Sequence, residues 1–397
     1  MLKKRLKAID YSIFITYLLL CIFGIIMVYS ASMITAIQLY GLESDYFFKR
    51  QIVNFLVALI AFVLSVMIPY KKLKSKSFLK FIIFGSIFVL ILLLFLGTNI
   101  NNATSWFQVG VRNIQPAEFV KLAIIIYLSA VYAKKQSYID NFNQGVIPPI
   151  IFLVLITFLI ILQPDIGTAG IIFTTGFLIV FCSGMNWKNI GKLCLIGIFV
   201  ILAFSPIIYI NREDIFTEAR LGRLYSLTDP FKYASDEGLQ LVNSFLAIGS
   251  GGWKGAGLGK SIQKVGYLPV AHTDVIMAII AEELGVFGVA FVIFLLGYIV
   301  LKGFYIGMKC RDPFGSLLAF GISGMIGIQT FVNLGGVSGI IPITGVTLPF
   351  ISYGGSSLLV LSIAMGLLLN VSAYANLDRK KSRPSNARGT VRVSAGR

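Results

Sequence analysis

The chain has 397 residues, of which 57% are hydrophobic and 13% charged; a soluble domain carries about 25% charged residues, so an ordinary soluble globular protein is excluded. The formal net charge is +17, but Lys and Arg sit in short segments between apolar runs and in the tails. That placement follows the positive-inside rule and excludes nucleic-acid binding as the meaning of the charge.

The first apolar run follows Lys3, Lys4, Arg5 and Lys7, as in a signal peptide. It is too long for one and no small-residue cleavage site follows, so it reads as the first helix. Apolar runs and their punctuation then predict ten spans, at roughly 12–33, 52–69, 79–97, 117–133, 147–162, 167–184, 189–210, 274–301, 314–334 and 353–374. With the N-terminus cytoplasmic, strict alternation puts the Lys71–Lys80 cluster, Lys134, Lys135, Lys188, Lys192, Lys302–Arg311 and the tail from Arg379 inside. Only Lys49, Arg50 and Arg112 fall in the short outer loops. The expected fold is therefore an all-α polytopic membrane protein of about ten transmembrane helices, with N- and C-termini cytoplasmic. Residues 1–376 form a single bundle, and 377–397 a basic, disordered cytoplasmic tail against anionic lipid. Cys21, Cys182, Cys194 and Cys310 lie in or beside spans without metal-ligand spacing and read as small buried hydrophobes. One long extracellular loop, about 211–273, joins helices 7 and 8. Loops of that length are functional or disordered, and Phe245, Leu246 and Ile248 predict that part of it packs or dips into the interface.

Four clusters carry chemistry. The first in the chain is Asn113-Ile-Gln115-Pro116-Ala-Glu118-Phe-Val-Lys121. Pro116 opens a helix, and Glu118 and Lys121 share a face, as an embedded ion pair or as substrate ligands. Trp106, just upstream, is an interfacial anchor or part of the same site. The second is Gln163-Pro164-Asp165-Ile-Gly167-Thr168, ordinary turn chemistry that also sets an acid at the membrane edge. The third holds the one histidine of the chain: Tyr267-Leu-Pro-Val-Ala-His272-Thr273-Asp274, running on to Glu282-Glu283-Leu-Gly285. On one continuous helix Asp274 and Glu282 stand about 80° and 12 Å apart, which puts the Glu pair near mid-membrane. Acids there face a cavity or pair with a cation. Asp274 either caps the helix or reacts, and His272 by itself is more often a packing residue. The fourth, Pro342 to Ser357, includes Ser352 and Ser356 and has too many Pro and Gly for a regular helix; irregular backbone at that depth needs protein or a wet cavity around it. Gly255-Ala-Gly257-Leu-Gly259-Lys260-Ser261 imitates a phosphate loop, but Lys254 stands where the leading glycine belongs and no strand precedes it.

Together these clusters resemble the FtsW/RodA/SpoVE family of shape, elongation, division and sporulation proteins. The matching segments are Gln115 to Lys121, Gln163 to Ala169, Ala271 to Asp274 with Glu282 to Gly285, and Leu348 to Ser357. Gly345 to Phe350 and Gly238-Leu-Gln240-Leu-Val-Asn-Ser244 are more similar to the FtsW/SpoVE branch than to RodA, and the whole is closest to FtsW. Ala117, Val275 and Thr104-Ser105 depart from the usual pattern. The resemblance implies a peptidoglycan glycosyltransferase that polymerises lipid II at the outer face of the bacterial cytoplasmic membrane, at the division septum. Asp274 is its essential acid. Trp106, Glu118, Lys121, Asp165, Arg220, Lys260, His272, Ser352 and Ser356 are the candidate substrate-binding residues. Arg212 and Arg223 are further cations for the pyrophosphate, and a divalent ion (Mg or Mn) is an alternative; no protein metal site is expected. The implied partners are a class B penicillin-binding protein transpeptidase and other division proteins. A lipid II flippase, a RodA-type elongation polymerase and a non-catalytic scaffold are the competing readings.

Overall fold

A computed structural model describes residues 2–100, 103–110, 112–197, 222, 225–233, 238–268 and 270–382. Local signals start the helices. Asp10 accepts the Ser12 N–H and opens α1 (Tyr11–Gln38); Ser75 accepts the Phe78 N–H and opens α3 (Lys76–Leu96) after α2 (Tyr46–Met67). Pro116 stands in the first turn of α4 (Pro116–Lys134), where a missing N–H costs nothing. There follow α5 (Ile147–Ile161), α6 (Ile166–Cys182), α7 (Leu239–Gly251), α8 (Ile276–Lys309), α9 (Pro313–Val337) and α10 (Gly355–Ser382). Among the described residues nine of the ten expected spans are helices. The remaining one, 189–210, is helical over 187–197 and then leaves the described residues. The last helix runs to Ser382, so the tail expected to be disordered from 377 begins as helix; residues 383–397 lie outside the described set. Cys21 is buried, Cys182 and Cys310 half-buried, and Cys194, unlike the expectation for it, exposed.

The bundle is built around α10, most of whose apolar window is buried, and which packs on α2. α9 packs against α4, α6 and α8. Phe81, Phe84, Phe88 and Phe95 on α3 point outward, as residues facing lipid do. One element was not expected: β1 (Thr98–Ile100), β2 (Ala103–Val109) and β3 (Arg112–Ile114) form a small antiparallel sheet, with Thr98 opposite Trp106 and Gln108 opposite Asn113.

The cytoplasmic rim is marked by Lys302 of α8, whose ammonium lies 3.2 Å from Asp10, and by Tyr298, which donates to Ser12. From Lys302 up to Glu283, α8 climbs about 28 Å, and from Asp10 to Ser30, α1 climbs about 30 Å. A hydrocarbon core is about 30 Å thick. Glu282 and Glu283 are therefore at the outer boundary of the bilayer rather than at its middle.

The expected span 274–301 is also not one straight helix. Gly285 has φ 64° and ψ −159°, a conformation open essentially to glycine alone, and α8 breaks there. A Cβ at Gly285 would lie 2.5 Å from the Gly255 nitrogen and the Trp253 carbonyl oxygen; one at Gly255 would lie 2.2 Å from the Glu283 carbonyl oxygen. Two glycines thus let residues 252–257 dock against the break. Gly285→Ala is expected to cost at least about 2 kcal/mol in detergent unfolding, and a variant as stable as the parent would show that the break is not enforced.

Candidate active site

Asp274 lies outside the helix. α8 begins at Ile276, its cap position is Val275, and no side chain caps it; the expected capping role for Asp274 is therefore absent. Its carboxylate is half-buried, and Oδ1 accepts from the Thr273 hydroxyl (2.9 Å) and the Gln240 amide (3.4 Å). Asn333 of α9 donates to the Asp274 carbonyl (2.6 Å) and to the Val346 carbonyl (2.7 Å). Asp274, Asn333 and Val346 line a cleft together with Val332, Gly336, Val337, Ile343, Thr344 and Gly345. Its free volume is about 10 Å³, room for about one water. From Pro313 to Asn333, α9 rises about 30 Å, which puts the cleft at the outer boundary too.

One turn below Asn333, Gln329 joins this cleft to the embedded charges. Its amide donates to the Thr347 carbonyl (3.0 Å), and its oxygen accepts from Lys121 (3.0 Å). Lys121 pairs with Glu118 at 2.8 Å, both buried. An i, i+3 pair on the first turns of α4 thus satisfies two charges where unpaired ones are costly. Asp165 caps α6 by accepting the Thr168 N–H (3.1 Å) and also accepts from Gln115 (2.8 Å), whose own N–H donates to Ser356 (3.2 Å). Ser352 accepts the Leu348 N–H (2.8 Å) and holds the irregular turn before α10. In that turn Phe350 has φ 66°, a strained value for a bulky residue. A Cβ at Gly24 of α1 would come within 2.7 Å of the Phe350 carbonyl oxygen, so the turn is seated directly on α1. Glu118 and Lys121 are thereby linked through Gln329 to Thr347, Asp165 through Gln115 to Ser356, and Ser352 to Leu348.

Other expected ligands lie elsewhere. The His272 ring is buried, 4.3 Å from the Phe47 ring and 5.5 Å from that of Tyr353. Its backbone carbonyl, not its ring, takes the Tyr353 N–H. The ring packs as a wall between Phe47 and Tyr353. Burial pushes its pKa down to about 4, below the ordinary 6.5 of the unfolded chain. The unfolded chain therefore binds this proton between pH 6.5 and 4 while the folded chain does not, and stability falls as the pH drops through that window. Unfolding in detergent is expected to show a loss of about 3 kcal/mol between pH 7 and 4 in the parent beyond that of His272→Phe. Equal losses would mean that the ring protonates in place.

Trp106 is half-buried on β2, where its carbonyl accepts from Thr98. Lys260 is exposed on the segment docked to Gly285. Arg212, Arg220 and Arg223 lie outside the described residues. Among the described residues no group of three His, Cys, Asp or Glu is placed to hold a metal.

The segment expected as an extracellular loop is partly built into the bundle, through Leu241, Val242 and Ala247 rather than Leu246 and Ile248, which are exposed. α7 packs on α8, and Ala256 and Gly257 donate to the carbonyls of Glu282 and Glu283. Glu282 accepts from the Ser261 hydroxyl and from the Ile262 N–H (2.7 Å). Glu283 pairs with Lys264 at 2.7 Å, both essentially inaccessible, and the Ser30 hydroxyl contacts both groups. Lys264, Ser30, Gln329, Asn333 and Gln240 were not among the expected site residues. The signal available for Gln329 and Asn333 was polarity at i, i+4 within an apolar span; for Lys264 it was the need of two acids for a cation.

Comparison with known proteins places this geometry. The cell cycle protein family that comprises FtsW, RodA and SpoVE matches residues 10–377. A probable peptidoglycan glycosyltransferase FtsW of Bacillus subtilis is 56% identical, covering 98% of this chain and 97% of its own length. The stage V sporulation protein E of the same organism is 39% identical over 91% of this chain and 96% of its own. In structure, a chain of a peptidoglycan synthase complex superposes with a TM-score of 0.73 at 24% identity, covering 92% of this chain and 98% of that one, a likeness of fold. The rod shape determining protein RodA of Thermus thermophilus gives 0.65 at 25% identity, over 92% and 96%. With a match from Asp10 through the last helix and a full-length relative sharing more than half its residues, this multi-pass membrane chain belongs to the FtsW/RodA/SpoVE family.

Proposed function

We propose that this chain is a peptidoglycan glycosyltransferase that polymerises lipid II at the outer face of the cytoplasmic membrane, at the septum of dividing cells. The observation that carries the reading is the half-exposed Asp274 carboxylate in a cleft at the outer hydrocarbon boundary, the level at which a lipid-linked sugar presents its headgroup. The name of the Bacillus subtilis FtsW relative supports the activity, and its 56% identity against 39% for the stage V sporulation protein E supports the division setting.

Asp274 takes the proton of the acceptor sugar hydroxyl as that oxygen bonds to the donor's anomeric carbon. The bond from that carbon to the pyrophosphate oxygen breaks, and the lipid pyrophosphate leaves with the electron pair. Thr273, Gln240 and Asn333 hold the acid in place, and Lys121, paired with Glu118, holds Gln329 one turn below Asn333. Arg220 is the proposed cation for the leaving group; Lys260, exposed on the segment docked to Gly285, stands apart from the lining of the Asp274 cleft. A cleft with room for one water is closed, so the working state has its walls further apart. A class B penicillin-binding transpeptidase and other division proteins are the proposed partners.

Glu282, Glu283 and Lys264 are satisfied by one another and by Ser261 and Ser30, which leaves these charges little to offer a transport path and favours the polymerase over a flippase. The test is the purified chain in liposomes with lipid II, with and without the transpeptidase. Glycan strands are expected; passage of labelled lipid II across the bilayer with no polymer overturns the reading.

A further inference from the structure

Residues 252–267 were expected to be extracellular, yet their backbone is tied to a known depth. The Val286 N–H donates to the Gly252 carbonyl (3.1 Å), and Ala256 and Gly257 donate to the carbonyls of Glu282 and Glu283 (both 2.9 Å). Those positions of α8 stand about 24–30 Å above Lys302, which is the outer edge of the hydrocarbon. At that level the segment turns large apolar side chains away from the protein: Trp253 is 73% exposed, Leu258 55% and Ile262 66%. They continue onto α8 through Phe287, 66% exposed on the lipid side just past the break. Interleaved with them, Lys254 and Lys260 are also exposed. The segment cannot lift off as a free loop, because Lys264, Ser261 and Ile262 anchor it to Glu283 and Glu282.

We infer that residues 252–262 are a lipid-docking surface. Trp253, Leu258 and Ile262 sit in the outer leaflet, and Lys254 and Lys260 reach anionic lipid phosphates. An indole prefers the headgroup boundary, where its ring is dry and its N–H wet. A lysine stem lies along apolar surface while its ammonium stays in the polar layer, where it is drawn to negative headgroups. Alternating apolar and basic side chains at this depth fit that boundary and no aqueous loop. The inference holds for the segment whether or not the chain polymerises lipid II.

The test reads Trp253 as the difference between the full chain and Trp253→Phe in liposomes of phosphatidylcholine and phosphatidylglycerol. Brominated lipids carry the quencher near the headgroup or deep in the tails. The Trp253 emission is expected to fall at least about two-fold with shallow bromolipid and less with deep bromolipid, with little response to aqueous iodide. Raising the phosphatidylglycerol fraction is expected to strengthen the shallow quenching in the parent and not in Lys254→Gln/Lys260→Gln. Quenching by iodide without bromolipid quenching overturns the inference, because the ring is then in water. Emission that neither quencher touches also overturns it, because protein then covers the ring.

Discussion

Asp274→Asn is expected to lower glycan synthesis from lipid II by about 10²–10⁴-fold, the range a lost general base costs. The substitution keeps the shape of the side chain. Its oxygen still accepts from Thr273 and Gln240, and the backbone carbonyl still accepts from Asn333. Thermal unfolding in detergent should therefore stay close to the parent, so that lost activity reflects lost proton acceptance. Synthesis within a few-fold of the parent by the folded variant would remove Asp274 from the chemistry and leave the family's reaction to another group.

The largest expected effect on stability comes from the Lys264–Glu283 pair. Glu283→Leu leaves an inaccessible ammonium with, among the described residues, Ser30 as its remaining side-chain partner, and breaking a buried pair in this way costs about 3–5 kcal/mol. The double change Lys264→Met/Glu283→Leu removes both charges and their desolvation together and is expected to recover most of that loss. Unfolding in detergent of the parent, both single variants and the double variant gives the coupling directly. A single variant that loses less than about 1 kcal/mol would mean that the ammonium reaches water, and that residues 252–264 are not held as described.

Much of this was legible in the residues. Long apolar runs make spans because every backbone polar group in lipid must be bonded within the helix, and Pro116 marked a helix start that the structure keeps. The Glu118–Lys121 pair was legible from spacing alone. What stayed hidden has a common cause: it depends on contacts distant in the chain. Gly285 reads as one small residue in a helical run, and only the approach of Gly255 and Trp253 shows why the helix breaks there. The level of the Glu pair follows from the length of helix between it and Lys302, about 28 Å, and not from its place near the start of the expected span. Lys264 was one of several loop cations, with nothing local to select it for Glu283. The sheet from Thr98 to Ile114 is too short and too polar to show an alternating pattern against the strong helical signals on either side. His272 drew attention as a lone imidazole, but its rings of contact, Phe47 and Tyr353, come from segments far away in sequence.

The Asn333 carboxamide grips two carbonyls, one beside the acid and one in the irregular turn before α10. Mechanically this is a rivet: two walls of the cleft are fastened to the same helix and travel with it. Sliding or tilting α9 would carry both and leave the gap between them unchanged. Room for sugars must therefore come from the edge of the cleft that this carboxamide does not hold. Labels that report separation across that edge, rather than along α9, are the ones that would register the enzyme opening.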